Sequence, residues 1–206
     1  MSSARPADDL GSTGIAGSAI PAALTSLIGR ARDVEGVSDA LGRCRLLTLA
    51  GPGGVGKTRL ATEVARRQLP RRLDGVWLVD LTGGPRTPDV ATETARVLGV
   101  QSPGGTDAID ALRGYLAERD ALVVLDNCEH VIDECAKVAG ALLRSCPHVR
   151  ILATSREPLG IDGETVWRLD PLSPEDAHRL FVERARQRTP ELLPFSTRYH
   201  GARVGP

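Results

Sequence analysis

A chain of 206 residues, 41% hydrophobic and 25% charged, is long enough to bury a substantial core and has the composition of an ordinary globular protein. Its 26 Lys and Arg offset 26 Asp and Glu, so net charge gives no argument for binding nucleic acid or a membrane surface. There is no signal core and no apolar run of bilayer length, and the four cysteines form neither a C-x-x-C pair nor a metal-ligand pattern with the histidines. From these features a cytoplasmic protein is expected, with reduced and mostly buried thiols.

Residues 1–24 are rich in Ser, Ala, Gly and Pro without periodicity and are expected to form a disordered leader. Val34, Val37 and Leu41 predict a short helix over Arg32–Leu41. Strands and helices then alternate. Arg45–Ala50 is an apolar run ending in a glycine-rich loop, and Lys57–Leu69 has helical spacing. Gly75–Leu81 reads as a strand, and Pro88–Leu98 as a helix opened by Thr87-Pro88 and stopped at Gly99. Asp107–Glu118 is a further helix. Ala121–Leu125 is continuously apolar, as a strand buried on both faces should be.

Val131–Cys146 follows as an amphipathic helix. Val149–Thr154 and Glu164–Leu169 are two more strands. Ser173-Pro174-Glu175-Asp176 has the form of a capping box, opening a helix to about Arg186 with Ala177, Leu180, Phe181 and Ala185 inward. Alternation of this kind predicts an α/β fold with a mostly parallel sheet covered on both faces. Residues 189–206 carry little pattern and are expected to be unstructured.

Gly51-Pro52-Gly53-Gly54-Val55-Gly56-Lys57-Thr58 matches G-x-x-x-x-G-K-[ST] in full. Glycines allow the backbone to wrap a phosphate with its N–H groups inward, in conformations a Cβ would block. The helix that follows adds the positive end of its dipole. Lys57 would reach the β- and γ-phosphates, and Thr58 would give its hydroxyl to Mg²⁺. These residues, with the adjoining Arg59, are the candidate nucleotide-binding set.

A second metal carboxylate is expected at the end of another strand. Leu122-Val123-Val124-Leu125-Asp126 has that form, so Asp126 either acts on Mg²⁺ or caps the following helix. Asn127 stands where many P-loop ATPases carry an acid, and an amide cannot take a proton. Glu129 is the nearest carboxylate, either a general base or the opener of the helix at Val131. One strand separates the two motif strands in sequence, an order typical of additional-strand P-loop ATPases. Candidates for a polar sensor on the next strand are Thr154 or Ser155, with Arg156 available to pair with a γ-phosphate.

Together these segments resemble the STAND class of P-loop ATPases, of NB-ARC type, and most of all the ATPase domain of bacterial LuxR-type and SARP-type transcriptional regulators. The resemblance rests on Leu24–Arg30, GPGGVGKTRLA, LVVLDNCEH, ILATSRE and RLDPLSPEDAHRLF, in that order from about Thr25 to Arg186. It implies a three-layer P-loop NTPase fold with a five-stranded sheet ordered 5-1-4-3-2. Residues 25–170 would form the nucleotide-binding domain, and 171–188 the first helix of an incomplete helical lid. It makes Ile28 and Arg30 candidates for packing beside an adenine; without it, Arg30 would be only a solvated arginine at a helix start.

The resemblance also implies a switch, closed with ADP and opened by ATP, often into an oligomer. The chain is expected to be a truncated form, with regulatory modules C-terminal to it missing and self-association open to it. No helix-turn-helix pattern is visible, so no direct nucleic-acid binding and no membrane binding are expected. The expected function is an ATP/ADP-binding switch module of a signal-transducing transcriptional regulator, at most a slow Mg²⁺-dependent ATPase. Two alternatives stand beside it: an active AAA-type ATPase using Glu129, and a degenerate non-functional fragment.

Overall fold

The structure is a computed structural model that describes residues 20–21, 27–82, 89–101 and 107–188. The chain divides after Pro171 into two compact units. The first opens with α1 (Ala31–Arg43), β1 (Leu46–Ala50) and α2 (Lys57–Gln68), followed by β2 (Gly75–Asp80). It continues through α3 (Val90–Leu98), α4 (Ala108–Leu116), β3 (Ala121–Asp126) and α5 (Ile132–Ser145) to β4 (Arg150–Ser155) and β5 (Glu164–Arg168). The second unit holds α6 (Pro174–Arg188).

The five strands form one sheet in the order β2-β3-β4-β1-β5, and every pairing is parallel. This is the predicted order, with β4 between the strand leading to the glycine-rich loop and the strand ending in Asp126. Side chains on β3 alternate between two cores. Leu122 and Val124 join Val34, Val37 and Leu41 of α1 and Leu60 and Val64 of α2. Val123 and Leu125 join Leu98 of α3, Leu112 of α4 and Val138 and Leu142 of α5. Strands buried on both faces explain the near-continuous apolar runs.

Local chemistry sets the element ends. The helix expected from Pro88 begins at Val90, because the Asp89 carboxylate accepts the Ala91 N–H and so caps it. Thr87 and Pro88 lie outside the described residues. Gly99 ends that helix in the left-handed region at φ 69°, as expected of a C-terminal glycine. β5 is the sheet edge beyond β1. It is held to α1 by Trp167, whose Nε1 donates to Asp33 Oδ1 at 3.3 Å. The Trp167 ring also lies so close to Gly36 that a Cβ there would stand 2.3 Å from it.

The Asp176 N–H donates to the Ser173 hydroxyl at the start of α6. Phe181, expected to face inward on that helix, is 71% exposed, and Ala177 is exposed as well. The four cysteines are free thiols; Cys128, Cys135 and Cys146 are buried and Cys44 half-buried. Among the described residues, no helix is long and apolar enough to cross a membrane.

Candidate functional site

Parallel strands bring their C-terminal ends to one edge of the sheet, and the motif residues gather there. The glycine-rich loop leaves β1 at Ala50 and re-enters helix at Lys57. Gly54 and Gly56 adopt φ 76° and 100°, where a side chain would be strained. Gly51 is needed for another reason. A Cβ on it would stand 2.7 Å from the Leu169 carbonyl oxygen, just beyond β5. The Gly51 N–H donates to the Ser155 carbonyl at 3.3 Å, so the end of β4 anchors the loop as well.

Lys57 is buried, and its ammonium donates to the carbonyls of Gly51 at 2.9 Å and Pro52 at 3.1 Å. The charge is thus already desolvated and held over the loop by weak neutral partners, which an anion can replace. Val55 and Arg59 are half-buried, and Pro52, Gly53 and Gly54 are exposed.

Arg30 is not the solvated arginine its position at a helix start suggests. It is only 7% exposed. Its guanidinium donates to the Val55 carbonyl at 3.1 Å, the Asp170 carbonyl at 2.7 Å and Asp33 Oδ2 at 3.0 Å. One side chain therefore ties α1, the glycine-rich loop and the exit of β5 together. Ile28 is half-buried two residues before it.

Asp126 ends β3 and is buried, 2% exposed. Its Oδ1 accepts the Thr58 hydroxyl at 2.9 Å and the Thr154 hydroxyl at 2.5 Å. Burial pushes its carboxyl above the usual range; the hydroxyls of Thr154 and Thr58 offset this in part, while the charges of Asp80 and Glu129 add to it. The helix-capping alternative for Asp126 does not hold. Val131 occupies the N-cap of α5 and no side chain caps it. Glu129 does not open that helix either. It sits in a short 3₁₀ turn, Cys128–His130, with Oε1 3.5 Å from Arg156 Nε and a buried Oε2 that has no hydrogen-bond partner.

The sensor candidates separate. Thr154 is fully buried; its hydroxyl donates to Asp126 and accepts the Asn127 N–H at 3.0 Å. Its hydroxyl thus holds the carboxylate at the end of the neighbouring strand. Ser155 Oγ accepts the Glu157 N–H at 3.3 Å, closing a turn after β4. Arg156 extends to the rim of the loop, where its Nη2 would be 3.6 Å from a Cβ on Gly53.

Asp80 went unrecognised in the sequence, and Asn127 was read there only as the residue that replaces an acid. Asp80 ends β2 in register with Asp126. Asn127, with φ 65°, is the only non-glycine in the left-handed region among the described residues. Its Nδ2 donates to Thr82 Oγ1 at 2.8 Å and to Asp80 Oδ1 and Asp126 Oδ2, each at 3.2 Å. Burial acts to raise the Asp80 carboxyl, but hydrogen bonds from the Thr82 hydroxyl, the Thr82 N–H and Asn127 outweigh it and the net shift is downward. A signal was present: GVWLVD and ALVVLD are both apolar strands closed by aspartate.

The donor set suits a hard cation. Thr58 and Asp126 bring two oxygens together next to the phosphate cradle, and Mg²⁺ takes such ligands alongside substrate phosphates. Among the described residues no three His, Cys, Asp or Glu cluster to hold a metal unaided. A cation here would rely on the phosphates as ligands.

A glycine-rich phosphate cradle on β1, a carboxylate on β3 and an extra strand between them define a P-loop NTPase of the additional-strand type. The model of the NB-ARC domain matches residues 30–191, and the chain belongs to that family. An uncharacterized protein of Mycobacterium tuberculosis is 42% identical over 165 residues, 80% of this chain and 42% of that protein. A provisionally named HTH-type transcriptional regulator of the same organism is 44% identical over 151 residues, 73% of this chain and 17% of that protein.

Regulatory protein AfsR of Streptomyces coelicolor is 33% identical over 183 residues, 80% of this chain and 18% of that protein. The chain thus spans less than half the length of each of these relatives. A Pyrococcus horikoshii STAND protein with a tetratricopeptide repeat sensor shares the fold with TM-score 0.53 at 20% identity, over 82% of this chain and 26% of that one. A DNA replication initiation factor does so with TM-score 0.50 at 19% identity, over 80% and 53%.

Proposed function

We propose that this chain is a switch module that binds ATP or ADP with Mg²⁺ and hydrolyses ATP slowly or not at all, within a transcriptional regulator. The observation that carries the reading is the state of Asn127. It takes the position after Asp126, and its amide is committed to Asp80, Thr82 and Asp126. No group at that position can accept a proton from an attacking water.

In this reading the backbone of Gly51–Gly56 and the Lys57 ammonium hold the phosphates, and Arg59 lies beside them at the first turn of α2. Thr58 and Asp126 hold Mg²⁺, which neutralises phosphate charge when bound. Arg156, at the loop rim, distinguishes ATP from ADP by pairing with the terminal phosphate. Ile28 and Arg30 line the approach to the base, Arg30 by fixing the loop at Val55. The regulators AfsR and the HTH-type protein support a transcriptional setting. Self-association and further regulatory modules belong to the same proposal.

Steady-state hydrolysis in the presence of Mg²⁺ tests the reading. The expected rate is far below about 1 s⁻¹, the low end of ordinary enzyme turnover. Turnover of many per second would show an active ATPase instead. The buried, unpartnered Glu129 Oε2 is the one observation favouring that second reading, in which Glu129 is the base.

A further inference from the structure

Both carboxylate oxygens of Asp126 are held through Asn127. The Asn127 amide donates directly to Oδ2 at 3.2 Å. The Asn127 N–H donates to Thr154 Oγ1 at 3.0 Å, and that hydroxyl donates to Oδ1 at 2.5 Å. Asn127 makes both contacts from a left-handed backbone, φ 65° and ψ 44°, which asparagine tolerates better than most residues.

On its far side the amide is gripped by Asp80 Oδ1 and Thr82 Oγ1. Asp80 Oδ1 in turn accepts the Thr82 N–H at 2.9 Å and the Thr82 hydroxyl at 2.5 Å. Asp80 and Asp126 are register partners on adjacent parallel strands, so two carboxylates stand side by side with an amide between them. An acid at 127 would add a third negative charge there. An amide instead gives a donor to each carboxylate.

We propose that Asp80 and Asn127 are positioning residues for the metal carboxylate. Asp80 anchors the Asn127 amide, and Asn127 fixes the orientation in which Asp126 meets a divalent cation. The inference rests on the reading of Thr58 and Asp126 as the Mg²⁺ site. It gives Asn127 a positive task in place of a missing base, and it brings the β2 edge strand into the site.

Outer partners of a metal ligand are worth about 10–100-fold in metal affinity. The test is a calorimetric titration of Mg²⁺ into the full chain saturated with ADP, with Asp126→Asn as reference. Asn127→Gly keeps the left-handed backbone at no steric cost and deletes only the amide. Asp80→Ala removes the anchor, and Asp80→Asn keeps an acceptor without the charge. Asn127→Gly is expected to weaken Mg²⁺ by about tenfold or more. Asp80→Ala should weaken it similarly, with Asp80→Asn between Asp80→Ala and wild type.

Combining Asp80→Ala with Asn127→Gly should cost no more than Asn127→Gly alone, because Asp80 acts through Asn127. A general loss of structure would not produce that non-additivity, nor would it spare ADP affinity in EDTA. Unchanged Mg²⁺ affinity in Asn127→Gly and Asp80→Asn, with Asp126→Asn impaired, overturns this inference alone, as do fully additive effects. If Asp126→Asn binds Mg²⁺ normally, or the wild type fails to bind ADP, the metal-site reading fails and the support role falls with it.

Discussion

Glu129 Oε1 lies 3.5 Å from Arg156 Nε, and the same guanidinium reaches the loop rim over Gly53. The arginine at the rim is therefore leashed to an acid whose second oxygen is buried and unpartnered. Arg156 is 65% exposed in its side chain, so the pair adds little to stability, about 0–1 kcal/mol. Its value lies in where it holds the arginine. Arg156→Ala is expected to leave the thermal midpoint nearly unchanged and to weaken ATP by about tenfold or more relative to ADP, the scale of one charge-assisted hydrogen bond. Equal losses for the two nucleotides would remove Arg156 from the terminal phosphate. Glu129→Gln should free the arginine without reducing slow hydrolysis; a collapse of turnover would make Glu129 the base.

Gly51 and Gly42 give opposite expectations for the same substitution. A Cβ at Gly51 meets backbone, the Leu169 carbonyl at 2.7 Å, which cannot swing aside as a side chain would. Gly51→Ala should cost about 1–3 kcal/mol and loosen β5 from the loop. Gly42 is exposed in α1, with nothing within 4 Å of an added Cβ. Gly42→Ala should stabilise by about 0.5–1 kcal/mol. Chemical denaturation of the two variants decides both, and a neutral Gly51→Ala would show that the end of β5 yields.

The strut at Arg30 carries a third expectation. Its three acceptors sit on three segments, and a lysine cannot reach all three with one ammonium. Arg30→Lys is expected to lose about 1.5–3 kcal/mol by denaturation and to weaken nucleotide binding. Retained stability would mean the contacts to Val55 and Asp170 are replaceable.

Much of this site was open to sequence inspection, because its central pieces are local. The cradle is eight consecutive residues, and the apolar strand before Asp126 announces a buried carboxylate. The alternating elements announced a parallel sheet, and its order was implied by the family resemblance. What stayed hidden is long-range. Arg30 and Asp170 meet across most of the chain, and no local pattern distinguishes a strut from a surface arginine. Asp80 matters only because β2 lies next to β3 in register. Asn127 read as a missing base, since its task depends on a left-handed backbone and on partners from two other strands. On α6, of the four residues that helical spacing set on one face, Leu180 and Ala185 are half-buried while Ala177 and Phe181 are exposed.

Asp126 also predicts a pH dependence. Its carboxyl is raised in the folded chain, chiefly by burial, so between the ordinary carboxylate value of 3.8 and the higher folded value the folded state binds more protons than the unfolded. Stability must then fall as pH rises through that window and recover as pH falls back into it. Without metal or nucleotide, Asp126→Asn should raise the thermal midpoint at neutral pH, with a gain that shrinks toward pH 4. A gain independent of pH would assign the effect to packing instead of charge.

Whether the cradle holds a nucleotide is decided by calorimetry with Mg-ADP and Mg-ATP on the wild-type chain and on Lys57→Ala. Lys57 is desolvated over Gly51 and Pro52 with only neutral partners, so removing it should cost binding far more than folding. The wild type is expected to bind with a Kd near micromolar, about −8 kcal/mol, and a folded Lys57→Ala to show no measurable binding. Absence of binding by the wild type, or equal binding by both, would contradict nucleotide binding at the cradle.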